Sequence, residues 1–266
     1  MIVLTRKAPL VQFPYGRISV LHSSVLCQHG KDVLSCSIRR RRLVAAFLLG
    51  VLLCFFLYQI NQDVFVIPTL NTSGPLRGKT ICIDPGHGGR DPGAIGGGLQ
   101  EKHLNLDMAR KTATYLRKQG ARVIMTRNED RSRAQHRLKG SLQLAELYQR
   151  SKLPSKTGSQ ALISIHCNSE AKKIYYGPQT FFEKGDSAGR GLARAIQKEL
   201  IAVRPSKRIA VPGEYYLLEK VKAPAVIVEV GYLSHPGDVL LLASPDFRTA
   251  VAEAIGRGVV AYFGIK

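Results

Sequence analysis

The sequence predicts an α/β fold, a single three-layer domain with a mainly parallel central sheet and helices on both faces, preceded by an N-terminal transmembrane helix. From residue 79 onward, short runs rich in β-branched residues alternate with stretches whose apolar residues recur every four positions. Strands that alternate with helices typically form a parallel sheet covered on both faces. Ahead of them, an uncharged apolar run of 20 residues follows four consecutive arginines.

Composition narrows the class of protein. The chain has 266 residues, of which 45% are hydrophobic, so it can bury a sizeable core and is neither disordered nor collagen-like. Five cysteines give no disulfide framework. The formal net charge of +20 would attract nucleic acid, anionic lipid or anionic cell-wall polymer, and charge alone does not choose among them.

Residues 1–42 form a basic N-terminal segment with eight basic side chains and one acidic side chain. The segment shows neither helical nor strand periodicity and contains no motif with a known mechanism. Because the arginines at 39–42 resemble the start of a signal anchor, we expect translation to begin closer to them than to residue 1.

Residues 43–62 are predicted to be a transmembrane signal anchor. As a helix, this run is about 30 Å long, enough to cross a bilayer. The arginines on its N-terminal side predict that residues 1–42 stay in the cytoplasm and that residues 63–266 lie outside. A buried core helix is the alternative, and a lipoprotein anchored at Cys54 is disfavoured by the bulky Leu53. Since no A-x-A-like cleavage site follows, we expect the anchor to stay uncleaved.

A linker over residues 63–78, rich in Pro, Asn, Thr, Ser and Gly, leads into a predicted catalytic domain at residues 79–266. The predicted strands are residues 79–84, 121–126, 161–166, 179–183 and 225–231. Helical spacing of apolar residues predicts a helix over residues 101–118, another around Leu192, Ile196 and Leu200, and a last one that begins near Phe247.

Three of these strands end in polar groups. The first ends at Asp84 and continues into Pro-Gly-His-Gly-Gly, which contains His87, the third ends at His166, and the last contains Glu229. Ligands of open α/β sheets bind at the carboxyl ends of the strands. We therefore expect two imidazoles and a carboxylate to converge at one edge of the sheet.

Glu229 and Glu101 each have two interpretations. Glu229 lies inside a buried apolar run, where a carboxylate is costly without a partner, so it forms a salt bridge or acts as a general base or metal ligand. Glu101 opens a helix after a glycine-rich loop, a position that the helix dipole alone favours. Two histidines and one glutamate are nevertheless a ligand set of catalytic zinc. The spacing matches no short zinc motif, so the pattern by itself leaves the roles open.

A dinucleotide-dependent oxidoreductase would need a motif that the chain lacks. No G-x-G-x-x-G opens a helix, which argues against that class of enzyme. The predicted topology argues against nucleic acid as a partner, because only residues 1–42 would face the cytoplasm.

Four segments resemble, in order, the signature blocks of the zinc-dependent N-acetylmuramoyl-L-alanine amidases. They are residues 84–89 (DPGHGG), 101–106 (EKHLNL), 163–168 (ISIHCN) and 228–234 (VEVGYLS). The resemblance covers about residues 79–266. Together with the N-terminal helix, residues 123–127 and 206–209 make the chain most similar to the germination-specific, spore-cortex members of this family.

The resemblance implies hydrolysis of the amide that joins the lactyl group of N-acetylmuramic acid to L-alanine in peptidoglycan. By motif position, His87, Glu101 and His166 match the family's zinc ligands, and Glu229 matches its catalytic glutamate. A spore-cortex role would place the enzyme in the forespore or spore envelope, where it removes peptide before muramic-δ-lactam formation. The alternative is a silent or partner-dependent peptidoglycan-binding protein, and the need for an accessory protein stays open.

Several neighbouring residues invite a role. Asp84 and Asn168 either orient the histidines or serve as a turn residue and a cap. His103 lies two positions from Glu101, so on a helix its side chain points elsewhere. His136 and His235 are expected to be solvated surface residues.

Two further features are expected to be structural. Cys82 and Cys167 lie in predicted strands and are expected to be small core residues without a disulfide. Residues 154–160 depart from the family's usual helix ending before the third strand.

Overall fold

The computed structural model describes residues 43–53, 73–134 and 138–264, together with the backbone of residues 65–66. Residues 43–53 form helix α1, whose side chains are all exposed, and α1 belongs to a different unit of the chain from the residues after Asn61. Among the described residues, the search for a helix with the length and apolar character of a membrane span finds none. The predicted basic segment, residues 1–42, and the last nine residues of the predicted anchor, 54–62, lie outside the described part.

The second unit is built on a seven-stranded sheet with the strand order β1-β5-β2-β6-β9-β7-β8, and β3 and β4 form a separate two-stranded hairpin. The strands are β1 (Phe65–Val66), β2 (Thr80–Pro85), β3 (Ile95–Gly96), β4 (Leu99–Gln100), β5 (Arg122–Met125), β6 (Ala161–Asn168), β7 (Gln179–Phe182), β8 (Val211–Pro212) and β9 (Ala225–Tyr232). The helices are α2 (Glu101–Lys118), α3 (Leu142–Thr157), α4 (Ser187–Val203), α5 (Tyr216–Lys220), α6 (Pro236–Ala243) and α7 (Pro245–Gly264).

The centre of the sheet is parallel and its margins are antiparallel. Strands β5, β2, β6 and β9 run in one direction, whereas β1 pairs antiparallel with β5 and β7 pairs antiparallel with β9. Residues 169–178, between β6 and β7, contain no helix. Two parallel strands are usually joined by a crossover helix. The connection from β6 to β7 has none, which agrees with β7 running antiparallel to β6 and β9. The sheet is therefore mixed, with the predicted parallel core.

The five predicted strands are present as β2, β5, β6, β7 and β9, and the predicted helix over residues 101–118 has the bounds of α2. Helix α3 was not predicted. Its buried side chains include Arg150 and Ser151, so its apolar periodicity is weak. In the unusual segment 154–160, the helix runs past Pro154 to Thr157. Gly158 then ends it in the left-handed conformation, with φ of 64°.

Two apolar clusters lie on opposite faces of the sheet. The larger cluster contains residues of α2, α4 and α7, and the smaller one contains Leu153 of α3 and Leu217 of α5. Successive strand residues point to opposite faces. Since Leu162 and Ile227 belong to the smaller cluster, His166 and Glu229 lie on the same face as α3 and α5. Helices thus cover both faces, as the three-layer prediction requires.

Candidate metal centre and active site

His87, Glu101 and His166 meet at the carboxyl end of the sheet. His87 follows β2, Glu101 is the first residue of α2, and His166 lies near the end of β6. Glu101 Oε1 is 3.1 Å from His87 Nε2 and 2.9 Å from His166 Nδ1. One potential ligand atom from each residue lies within 4.8 Å of the others. The structure therefore brings together the three residues that the family resemblance implicated.

Glu101 is held in place through both carboxylate oxygens. Oε1 accepts hydrogen bonds from Asn105 Nδ2 at 3.0 Å and from the Cys167 amide at 3.1 Å, and Oε2 accepts one from the Ala94 amide at 2.9 Å. Burial raises the pKa of this carboxyl, but hydrogen bonds and charge from His166 and His87 outweigh burial and hold the pKa well below its usual range. Glu101 is thus a fixed anion.

Asp91 orients His87, and we did not predict this residue from the sequence. His87 Nδ1 lies 2.8 Å from Asp91 Oδ2, and Asp91 Oδ1 accepts a hydrogen bond from the Gly93 amide at 3.0 Å. Burial lowers the pKa of His87, but hydrogen bonds to Glu101 and Asp91 outweigh it and raise the pKa to about 9. The available signal was a carboxylate four residues after a histidine in a glycine-rich loop.

Two glycines allow the backbone to approach the site closely. A Cβ atom at Gly86 would lie 2.1 Å from Cε1 of His166, and one at Gly93 would lie 2.5 Å from Oε2 of Glu101. Both positions therefore exclude any larger residue unless the ligand side chains move. His87 itself has φ of 59°, a left-handed conformation that is uncommon outside glycine.

Two buried arginines hold the loop that carries His87. Arg127 donates to the carbonyls of Pro85 and Gly86 at 3.0 and 2.9 Å. Arg150 donates to the carbonyls of Pro85 and His87 at 3.1 and 2.6 Å. Sequence reasoning missed both, because an arginine in a strand end or helix is usually a surface residue and only the tertiary contacts bury it.

Asp84 acts on this loop indirectly. Its carboxylate accepts hydrogen bonds from Thr126 and Ser164 at 2.5 and 2.6 Å, and it lies 3.4 Å from Nη1 of Arg150. Burial raises the pKa of Asp84, but Arg150 and the two hydroxyl groups outweigh burial and lower it. Asp84 therefore supports the loop through Arg150 instead of contacting a histidine.

Asn168 does not orient a histidine either. Its Oδ1 accepts a hydrogen bond from the next amide, that of Ser169, at 2.7 Å. Asn168 is therefore a local cap at the end of β6, which is one of the two roles expected from the sequence.

Glu229 lies beside His166, because the two residues are paired in the register of β6 and β9. The glutamate is 8% exposed, and within the described ranges no hydrogen-bond donor reaches its Oε2 and no lysine or arginine pairs with it. Burial raises the pKa of Glu229 to about 7, even though the positive charge of His166 opposes this shift. A carboxyl with that pKa and a free oxygen can accept and return a proton near neutral pH.

A cleft of about 970 Å³ opens over these groups. Its lining includes His87, His166, Glu229 and Tyr215, and it extends to Leu142 and Glu146 on α3. The cleft is large enough for a sugar or peptide and lies where open α/β sheets bind ligands.

The remaining histidines lie apart from the cluster or outside the described residues. His103 is exposed and lies 3.3 Å from Asp130. The expectation that His235 is a solvated surface residue was wrong, because His235 caps the N-terminus of α6, where its Nδ1 accepts a hydrogen bond from the Asp238 amide. His136 lies outside the described residues.

The two described cysteines agree with the expectation from the sequence. Cys82 and Cys167 are buried and free, as expected for small core residues.

The donor set of the cluster fits zinc. Two imidazoles and one carboxylate can provide three ligands and leave a fourth position for water, as in catalytic zinc sites. Asp91 supplies the carboxylate that commonly orients a zinc-bound histidine. The cluster can therefore hold the ion next to a proton acceptor, Glu229.

Comparison with known proteins identifies an amidase family. The family model described as N-acetylmuramoyl-L-alanine amidase matches residues 81–261. A germination-specific N-acetylmuramoyl-L-alanine amidase of Bacillus subtilis is 40% identical over 230 residues, which are 83% of this chain and 94% of the relative. The CwlD amidase of Clostridioides difficile, solved in complex with the GerS lipoprotein, has a TM-score of 0.68 at 32% identity and covers 71% of this chain and 100% of its own. The catalytic domain of CwlV from Bacillus (Paenibacillus) polymyxa has a TM-score of 0.61 at 30% identity, with 71% and 99% covered.

Proposed function

The chain belongs to the N-acetylmuramoyl-L-alanine amidase family, and we propose that it performs this family's hydrolysis with a zinc ion held by His87, Glu101 and His166 and with Glu229 as the proton-transfer residue. The bond cleaved is the amide between the lactyl group of N-acetylmuramic acid and L-alanine in peptidoglycan. The arrangement of Glu229 carries the proposal, because a buried carboxyl with one free oxygen stands beside a cluster of zinc-type ligands.

When bound, zinc supplies a Lewis acid that polarises the amide carbonyl and lowers the pKa of water. The Glu229 carboxylate accepts a proton from the attacking water. It then gives that proton to the nitrogen of L-alanine as the C–N bond breaks, so that the products are a carboxylate and an amine. Burial raises the pKa of Glu229, which favours its taking up this proton and returning it to the leaving nitrogen.

The other residues of the site keep these groups in place. Asp91 fixes the ring of His87, and Glu101 is fixed by Asn105 and two backbone amides. Arg127 holds the backbone between β2 and His87. Such prior positioning reduces the reorganisation required during the reaction.

The biological setting proposed here is the spore cortex, since a relative that is 40% identical over 83% of this chain is germination-specific. In that setting the enzyme removes peptide before muramic-δ-lactam formation in the forespore or spore envelope. Residues 43–62 would anchor it and residues 63–78 would link the anchor to an extracytoplasmic catalytic domain at 79–266. The CwlD neighbour was solved with a lipoprotein, so a lipoprotein is the accessory partner to test first.

The proposal is tested by measuring zinc content and release of peptide from purified peptidoglycan. The purified full-length protein is compared with the Glu229→Gln and His166→Ala variants. We expect one zinc in the wild type and in Glu229→Gln, little zinc in His166→Ala, and new N-terminal alanine only with the wild type. Glu229→Gln should lose at least about 10³-fold in turnover, as expected for a lost proton-transfer group.

Other outcomes would contradict defined parts of the proposal. Full activity without zinc would overturn the metal site, and full activity of Glu229→Gln would overturn its role. Zinc binding without peptide release, both with and without a lipoprotein partner, would favour the silent peptidoglycan-binding alternative.

A further inference from the structure

Arg208 is a partly buried cation that lacks a carboxylate partner. Its Nε donates to the Tyr176 carbonyl at 3.1 Å and its Nη1 donates to Oε1 of Gln179, whereas Nη2 has no hydrogen-bond partner in the described part of the chain. Its own backbone amide donates to Ser206 Oγ at 3.4 Å and its carbonyl accepts a bond from Gln197. Hydrogen bonds therefore hold the backbone and two guanidinium nitrogens of Arg208, and Nη2 can still donate.

Two other partly buried arginines pair with carboxylates. Arg204 pairs with buried Asp238 at 2.9 Å, and Arg248 pairs with Asp107 at 2.6 Å. Within the described ranges, no Asp or Glu lies within ion-pair distance of Arg208. The positive charge of Arg208 is therefore not offset by a neighbouring carboxylate.

Two tyrosine rings flank this guanidinium. Its Cζ lies 4.8 Å from the ring centroid of Tyr232 and 5.5 Å from that of Tyr175. Tyr232 is buried on β9, while Tyr175 is 40% exposed. The two ring centroids are 6.2 Å apart, so the rings contact the guanidinium from neighbouring sides and leave it partly exposed, which is compatible with binding an anion.

Arg208 is connected to Glu229 through Gln179. Gln179, which receives its Nη1 hydrogen bond, is paired directly with Glu229 in the register of β7 and β9. In the strand order, β7 lies on the side of β9 away from β2 and β6. Arg208 therefore lies on the side of Glu229 away from the histidines and beyond the residues that line the cleft, where it would meet the part of a substrate that extends past the scissile amide.

We propose that Arg208, flanked by Tyr175 and Tyr232, binds a carboxylate of the stem peptide, on the residue that follows L-alanine. The inference rests on the proposed amidase function and specifies which part of the substrate would contact Arg208. An Arg–carboxylate pair is charge-assisted and geometrically specific, so it would hold the leaving peptide in register with Glu229. The enzyme would then prefer stems with an acidic second residue.

The test uses two soluble glycan substrates with L-alanyl-D-isoglutamyl stems capped as the γ-amide. They differ only in whether the α-carboxyl is free or converted to a carboxamide. For the wild-type holoenzyme we expect kcat/KM to fall roughly 10- to 100-fold on the carboxamide. Arg208→Gln should show a similar loss on the free carboxylate, mostly in KM, and little further loss on the carboxamide. Arg208→Lys should keep part of the discrimination.

Lys207→Gln is the matched control, because it removes the same charge from an exposed neighbouring residue. It should leave the discrimination unchanged. If Arg208→Gln lowers kcat/KM by the same factor on both substrates, the residue is structural and the proposal is overturned. If the wild type cleaves neither soluble substrate and also releases no alanine from peptidoglycan, the amidase proposal itself has failed.

Discussion

Asp84 and Glu229 are two buried carboxylates on the same face of one sheet, and their surroundings are opposite. Asp84 accepts two hydroxyl hydrogen bonds and faces Arg150, and these contacts lower its pKa. Glu229 has an oxygen without a donor among the described residues, and burial raises its pKa to about 7. The comparison shows that partners, more than burial, decide whether a buried carboxylate stabilises the fold or stays available for chemistry.

The same contrast applies to the two arginines that face these regions. Arg150 pairs with Asp84 and donates to the carbonyls of Pro85 and His87, although its buried Nε has no hydrogen-bond partner among the described residues. Arg208 donates to a carbonyl and an amide oxygen and pairs with no carboxylate in the described part of the chain. The two arginines therefore differ in whether a carboxylate offsets the positive charge.

The largest expected effect on stability is that of Asp84→Asn. This substitution removes the fully buried carboxylate that pairs with Arg150 and leaves only Glu146, 3.6 Å from its Nε, as a counter-charge, which should cost about 3 kcal/mol of unfolding free energy. Urea denaturation of the metal-free wild type and variant measures this change in unfolding free energy. Glu229→Gln is the matched control and should be neutral or stabilising. Equal losses in both variants would remove the distinction between the two carboxylates.

The pH dependence of stability should have opposite signs at the two positions. A raised pKa means that folded Glu229 binds a proton more tightly than the unfolded chain, so its contribution to stability falls as pH rises from 4.5 to 7, by about 3 kcal/mol. The lowered pKa of Asp84 means that its contribution is present above its ordinary value of 3.8 and is lost as pH falls.

The measurement is the unfolding free energy of metal-free wild type and Glu229→Gln between pH 4.5 and 8. The difference between them should follow the titration of Glu229. A constant difference across this range would show that Glu229 has an ordinary pKa.

Asp91→Asn tests an intermediate case, since Asp91 is half exposed but paired with His87. Loss of the carboxylate that orients a ligand histidine should weaken zinc binding about 10- to 100-fold. Competition with a chromophoric chelator measures the affinity. Asp107→Asn, which removes a carboxylate paired with Lys111 and Arg248 on another surface, should leave zinc affinity unchanged.

The smallest effect should come from Asn168→Ala. Its side chain accepts one bond from the Ser169 amide, at the partly exposed end of β6, so we expect a loss of at most about 1 kcal/mol in stability. Zinc content and turnover should match the wild type. A large loss of zinc would mean that Asn168 does orient a histidine, contrary to the contacts described.

The sequence alone determined the α/β class, five strands of the sheet, and the residues whose chemistry suits a zinc amidase. These features are local. Strands and α2 have strong apolar periodicity, and the signature segments place His87, His166 and Glu229 at or near the ends of strands, so that parallel pairing brings them to one edge.

Only the tertiary structure decided which polar groups find hydrogen-bond and ion-pair partners. Arg150 pairs with Asp84, which is 66 residues away in the sequence, and the weak apolar periodicity of α3 gave no sign of this contact. The antiparallel direction of β7, which places Gln179 beside Glu229 and connects Arg208 to it through Gln179, likewise depends on strand pairing. Hydrogen bonds between distant residues leave no periodic trace in the sequence, whereas burial of apolar faces does.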